Sequence, residues 1–146
     1  MRKPSSDLPS ERRVSRALES FVRSVLDEHG DEVLSIVLFG SRARGDFTCY
    51  SDADVLVVLA ESGRRLIDRL SDFAAYCPDG LVEPIVYTRE EIEAMFEARN
   101  PFLLDVLNEG LPLFDRGLWA ELRARFDRLV EEKLIERCGP GWRIRG

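Results

Sequence analysis

The sequence predicts an α/β (α+β) fold in which a small mixed β-sheet packs against helices. Short apolar runs rich in branched residues alternate along the chain with segments whose apolar residues recur at helical spacing. The length of 146 residues, with 45% hydrophobic and 33% charged residues, is typical of one globular domain. No apolar run approaches the roughly 20 residues that a membrane-spanning helix needs.

The first third of the chain predicts a helix followed by a strand. Residues 1–9 are polar and contain proline, so we expect a flexible N-terminal arm. Ser10 can cap the helix that follows, and Gly30 can end it in a left-handed conformation. The apolar run 33–39 then predicts a buried strand. We expect residues 10–146 to form a single domain with a C-terminal helix.

The middle of the chain repeats this order. The polar segment 41–52 predicts a short helical turn and a loop, and the apolar run 55–59 predicts a second buried strand. A helix is predicted over 66–74, before a third strand over 81–87. Because Pro84 cannot donate a hydrogen bond to a neighbouring strand, this third strand should lie at a sheet edge or carry a bulge.

The last third of the chain predicts three more helices and a fourth strand. Thr88 and Glu91 form the pattern of a capping box, and Pro101 suits the first position of the next helix. Residues 111–114 predict a short edge strand. The apolar spacing from 118 to 134 predicts a long amphipathic helix that a Gly-Pro pair ends further on.

Composition excludes several classes of function. With 27 acidic and 21 basic residues the net charge is −6, which argues against an extended nucleic-acid surface. His29 is the single histidine, so Ser-His-Asp triads and multi-histidine zinc sites are excluded unless His29 acts alone. The first residues lack the apolar region of a signal peptide, and the three cysteines share no metal-ligand spacing. We expect a cytoplasmic protein with reduced thiols and no membrane contact.

Two aspartates mark the start of the second predicted strand. Asp52 and Asp54 are two residues apart, and alternate side chains of a strand point to the same face. Such carboxylates repel each other, and a divalent cation relieves the repulsion. Hard oxygen ligands favour Mg²⁺, which keeps other positions for water and phosphate. The alternative is a purely structural role, in which both aspartates are turn residues before a strand.

A second group of residues follows the first predicted strand. Gly40 permits close approach of the backbone to a ligand, and the hydroxyl of Ser41 can face an anion. Arg42 and Arg44 add positive charge suited to phosphate oxygens, although a surface ion pair would also account for Arg44. Together the two strand ends predict a metal–nucleotide site.

A third carboxylate stands within the third predicted strand. Glu83 lies between Val82 and Pro84, and a charge in an apolar strand is costly unless it is paired or bound to a metal. Across the sheet it could face Asp52 and Asp54. Alternatively, Glu83 faces solvent on an edge strand.

These residues resemble the minimal nucleotidyltransferases of the DNA polymerase β superfamily. That family is marked by Gly-Ser, about ten residues, Asp-x-Asp and a later acidic residue on a strand. Here Gly40-Ser41 is followed by ten residues and then Asp52-Ala53-Asp54. The phrase NPFLLDVLNEGLPLF also resembles the segment that follows the catalytic core in these small proteins. The resemblance covers roughly residues 15–115.

The resemblance implies roles for the candidate residues. Asp52 and Asp54 would hold two Mg²⁺ ions, and Glu83 would take the place of the third acid, which is more often Asp in the family. Ser41 and a nearby arginine, by position Arg44, would hold the β- and γ-phosphates of a nucleoside triphosphate. ATP is the expected donor, so the expected reaction transfers AMP to a hydroxyl acceptor.

The resemblance also implies a partner. Small nucleotidyltransferases of this type commonly act as antitoxins that adenylylate a tyrosine of a HEPN-domain protein, and this is the first hypothesis. The second is nucleotide transfer to a small molecule such as an aminoglycoside, for which the chain has little length to spare. The third is a catalytically idle module that only binds a partner.

Overall fold

A computed structural model describes residues 9–46 and 52–145 of the chain. The helices are α1 (Pro9–His29), α2 (Ser41–Arg44), α3 (Leu66–Ala74), α4 (Arg89–Glu97), α5 (Pro101–Glu109) and α6 (Leu118–Glu131). The strands are β1 (Val33–Phe39), β2 (Ala53–Leu59), β3 (Val82–Thr88), β4 (Leu111–Asp115), β5 (Ile135–Cys138) and β6 (Gly141–Ile144).

A four-stranded mixed sheet organises the fold, as the sequence predicts. The strand order is β3-β2-β1-β4, in which β1 runs antiparallel to both β2 and β4 while β2 and β3 are parallel. The strand that contains Pro84 and the strand β4 both lie at edges, which confirms the two edge predictions. The strands β5 and β6 form a separate antiparallel hairpin.

Helices cover both faces of the sheet, because the central strands β1 and β2 carry apolar residues on both sides. Val55 and Val57 of β2 belong to one buried cluster, while Leu56 and Val58 belong to the other. The first cluster takes its helical members from α1 and α3 and includes Phe21, Val25 and Phe73. The second takes them from α4, α5 and α6 and includes Ile92, Phe96, Leu103, Leu104, Leu107, Trp119, Leu122 and Phe126.

The two ends of the chain differ from the sequence prediction. Helix α1 begins at Pro9, so Ser10 lies in its first turn rather than at its cap, and the rest of the predicted arm, residues 1–8, lies outside the described residues. Helix α6 ends at Glu131, three residues earlier than predicted. Lys133 adopts a positive φ of 59°, which terminates the helix and starts the β5–β6 hairpin. The predicted C-terminal helix is therefore followed by a hairpin.

The hairpin packs on the body through the buried Ile135, through the ion pair of Arg137 with Asp105 and through Trp142. The Trp142 indole packs edge-on against Phe126 of α6, with 5.7 Å between ring centroids, and its Nε1 donates a hydrogen bond of 2.8 Å to Asp105 of α5.

Within residues 9–46 and 52–145, none of the helices combines the length and apolarity that crossing a bilayer would require.

One ion pair between a buried arginine and a partly exposed glutamate ties α3, β3 and α4 together. Arg69, only 5% exposed, donates to both carboxylate oxygens of Glu91 at 2.7 and 3.0 Å and to the carbonyl oxygen of Val86 at 2.8 Å. Glu91 also accepts from the backbone N–H of Thr88, which completes the predicted capping box. The hydrogen bond from Arg69 is the main reason that the pKa of Glu91 falls from 4.5 to about 2.

The Arg69–Glu91 pair makes stability depend on acid pH. A carboxyl group whose pKa is lowered by folding contributes stability above its unfolded pKa of 4.5, and that contribution is lost as the pH falls toward about 2. We expect Glu91→Gln, which keeps the cap, to lower the free energy of unfolding at neutral pH by about 1–2 kcal/mol, allowing for solvent screening of the partly exposed carboxylate. The gap should close in acid.

Thermal unfolding of both proteins across this pH range tests the expectation. Glu90→Gln, which removes an exposed carboxylate from the preceding position, serves as the control and should follow the parent protein. Parallel stability curves for the parent and Glu91→Gln would contradict the assignment.

Candidate active site

The candidate carboxylates lie at one end of the sheet, where β1 ends and β2 and β3 begin. In the register of the sheet, Asp54 of β2 lies opposite Phe39 of β1 on one side and opposite Glu83 of β3 on the other. Asp52 immediately precedes β2. The parallel pairing of two strand beginnings therefore brings Asp54 and Glu83 together from positions 29 residues apart.

Both strand carboxylates lie on the same face of the sheet. Asp54 alternates with Leu56, and Glu83 alternates with Ile85, and both of these apolar residues belong to the cluster under α4, α5 and α6. Burial and, after it, the negative charge of Asp52 raise the pKa of Asp54, while Arg44 opposes the rise. Arg44 therefore lies close enough to Asp54 for its positive charge to act on this carboxylate.

Glu83 belongs to the same electrostatic cluster. Glu83 is an exposed residue of the edge strand β3, yet partial desolvation and the negative charges of Asp52 and Asp54 raise its pKa. Neighbouring carboxylates offer only acceptor oxygens to one another, so their ionised forms repel unless a cation lies between them. The structure thus brings the three predicted acids close enough for their charges to repel one another.

Gly40 allows the backbone to pass against the Asp54 carboxylate. Its φ of 77° lies in the left-handed region, and a Cβ atom built there would overlap Oδ2 of Asp54. A side chain at position 40 would therefore have to displace the carboxylate or the chain. The close approach predicted for this glycine is made to a carboxylate of the site itself.

The two arginines of the short helix α2 point in different directions. The Arg42 side chain is 5% exposed, and its Nη1 lies 3.3 Å from the Glu11 carboxylate of α1. Arg44 is 45% exposed and lies 3.0 Å from Asp46 and from Glu109 at the end of α5. The structure brings Arg44 to the acidic cluster, whereas Arg42 anchors α2 to α1. Ser41, half-buried, is the first residue of α2.

The donor set suits a hard divalent cation, because three carboxylates repel one another at one sheet edge. Among the residues that the structure describes, no group of three or more His, Cys, Asp or Glu side chains is already arranged to hold a metal ion. A cation bound here would draw Asp52, Asp54 and Glu83 together from their present positions. Glu11 and Glu109 are two acidic residues of this region that the motif did not reveal, since each lies far from it in sequence.

A Gly-Ser turn opposite paired carboxylates at the edge of a small mixed sheet is the arrangement of a nucleotidyltransferase domain. Residues 18–109 match the family model described as a nucleotidyltransferase domain, and the chain belongs to this family. The resemblance and the fold class drawn from the sequence are thereby confirmed, and the chain is a nucleotidyltransferase.

Similar proteins agree with this assignment. A candidate protein adenylyltransferase from Methanocaldococcus jannaschii is 28% identical over 128 residues, which cover 83% of this chain and 86% of that protein. The crystal structure of a candidate nucleotidyltransferase from Sulfolobus solfataricus superimposes with a TM-score of 0.57 at 25% identity, covering 80% and 93% of the two chains. A chain of a toxin–antitoxin structure with AMP-PNP shares the fold, with a TM-score of 0.53 at 17% identity and coverage of 79% and 88%.

The close approach at Gly40 predicts that Gly40→Ala damages the site. The new methyl group would strain the left-handed backbone and push against Asp54, so we expect a loss of at least about 1 kcal/mol in the free energy of unfolding. Urea unfolding measures this loss. Gly63→Ala is the control, because a Cβ at Gly63 has no neighbour within 4 Å, and it should leave stability nearly unchanged. Equal stability of the two variants would show that position 40 tolerates a side chain.

Proposed function

We propose that this nucleotidyltransferase moves AMP from ATP to a hydroxyl group of a partner protein. The observation that carries the proposal is the register of β2 and β3, which sets Asp54 opposite Glu83 beside Asp52 and the Gly40–Arg44 turn. In the reaction the acceptor oxygen forms a bond to the α-phosphorus of ATP. The bond between the α-phosphorus and the oxygen that bridges to the β-phosphate breaks, and pyrophosphate leaves in line.

The three carboxylates would hold two Mg²⁺ ions. Bound Mg²⁺ supplies positive charge that stabilises the attacking oxygen and the leaving pyrophosphate. Asp52 and Asp54 would fix the position of this charge, and the pairing of β2 with β1 and β3 holds the backbone of Asp54 in place. Glu83, whose pKa is raised, would either complete the ligand set or accept the proton of the acceptor hydroxyl.

The turn after β1 would bind the triphosphate. Arg44 already binds two carboxylates in this structure, and the same planar guanidinium suits phosphate oxygens. The Ser41 hydroxyl and the backbone at Gly40 would add contacts to the phosphates. We assign Arg42 an indirect role, in which its ion pair with Glu11 holds the turn in place.

A protein acceptor is favoured by the similar proteins. The relative from Methanocaldococcus jannaschii carries the name of a candidate protein adenylyltransferase and matches most of this chain. A fold neighbour was solved as part of a toxin–antitoxin pair with an ATP analogue. We therefore propose that the acceptor is a tyrosine of a HEPN-domain toxin and that AMP transfer silences it, which makes this protein the antitoxin.

Labelled transfer tests the proposal. The purified protein, Mg²⁺ and ATP labelled at the α-phosphate are incubated with a purified HEPN-domain toxin, or with a lysate of the source cells. We expect label on a tyrosine of the partner and none with Asp54→Asn, which is nearly isosteric and removes one charge from a repelling cluster. Label on a small molecule would instead support small-molecule transfer. Absence of ATP binding would support the idle binding module.

Glu83 gives the sharpest test of the third carboxylate. We expect Glu83→Gln to reduce the transfer rate at least about 100-fold, because the variant keeps the size but loses the charge. It should leave ATP affinity within a few-fold, because the triphosphate contacts lie on the turn after β1. Glu83→Asp, which keeps the charge on a shorter arm, should retain part of the activity. A Glu83→Gln variant with parental turnover would show that Glu83 only faces solvent.

A further inference from the structure

The Arg44 guanidinium is held between two carboxylates at the edge of the candidate site. Its Nε donates to Asp46 and its Nη1 donates to Glu109, both at 3.0 Å. Its positive charge also acts on the nearby Asp54 carboxylate. Within the described part of the chain these contacts use Nε and Nη1, so Nη2 is the nitrogen that remains for a phosphate oxygen.

The two carboxylates differ in how firmly they are fixed. Asp46 is 61% exposed and lies just after α2, whereas Glu109 is 19% exposed and ends α5. Gly110 directly follows Glu109, and a Cβ atom at Gly110 would overlap the Val106 carbonyl oxygen and lie 2.7 Å from Cγ1 of Val37. The end of α5 therefore packs tightly on β1, and Glu109 is attached to a rigid part of the fold.

A carboxylate at this position is unfavourable by itself. Glu109 is the last residue of α5, where the helix dipole is negative and favours cations. Arg44 supplies the compensating charge. The structure thus gives Glu109 one partner that accounts for its placement, and that partner is the arginine proposed to bind phosphate.

We propose that Glu109 is a positioning residue for the triphosphate, acting through Arg44. A half-exposed arginine on a four-residue helix would otherwise sample many rotamers. Glu109 fixes one of them, in which the guanidinium charge acts on Asp54. The proposal rests on the proposed role of Arg44 in phosphate binding.

Equilibrium binding of an α,β-methylene ATP analogue with Mg²⁺ tests this role without an acceptor. We expect Glu109→Ala to raise the dissociation constant of the analogue about five- to tenfold. Glu109→Gln should recover part of the affinity, because its amide oxygen accepts the same hydrogen bond. In the Arg44→Ala background, Glu109→Ala should add no further loss, since its effect passes through Arg44.

A matched control separates positioning from general damage. Glu97 ends α4 and pairs with Arg125 at 3.1 Å, as Glu109 ends α5 and pairs with Arg44. Glu97→Ala should leave the dissociation constant unchanged, and thermal unfolding of each variant reports any loss of stability.

Each contrary outcome has a distinct meaning. If Glu109→Ala binds the analogue as tightly as the parent or more tightly, Glu109 does not position Arg44, and the proposal fails. An equal loss with and without Arg44 overturns it as well, since the effect is then structural. If Arg44→Ala itself binds normally, the proposed phosphate role of Arg44 is what fails, and this inference fails with it. Labelled transfer remains an independent test of the function.

Discussion

The parallel register of β2 and β3 is the constraint on which the candidate site depends. Asp54 faces Glu83 because Leu56 faces Ile85 and Val57 faces Val86 further along the same two strands. A slip of one residue would turn every side chain of β3 to the opposite face, which would exchange the residues that β3 gives to the two apolar clusters and move Glu83 away from Asp54. The apolar core thus sets the distance between the acids, although no apolar residue takes part in the chemistry.

Folding has opposite effects on the acidic residues of the ion pair and of the candidate site. Folding lowers the pKa of Glu91 and raises that of Asp54 and Glu83. The ionised Glu91 therefore stabilises the fold. Ionisation of Asp54 and Glu83, in contrast, costs more free energy in the folded protein than in the unfolded chain. The pair of the buried Arg69 with Glu91 holds β3 against α3 and α4. A cation bound at the sheet edge would turn the repulsion of the acids into binding energy.

Much of this structure follows from sequence patterns of short range. Branched apolar runs predict β1, β2 and β3, Pro84 predicts an edge, and the Gly-Ser and Asp-x-Asp spacing predicts where the acids meet. The β5–β6 hairpin was not predictable in the same way, because each strand has only four residues. It depends on Trp142, which contacts α6 and α5, and such long-range contacts leave no periodic signal in the sequence.

The arginines of α2 show where sequence reasoning ends within the site. Arg42 and Arg44 are two positions apart on one helical turn, so their side chains leave it in different directions. What each one does depends on partners that lie 31 and 65 residues away, Glu11 and Glu109. The nearly buried pair fixes the turn to α1, and the exposed pair leaves a guanidinium at the rim of the acidic cluster. A pattern of two arginines predicts positive charge near phosphate, but only the packing of α1 and α5 decides which of them can provide it.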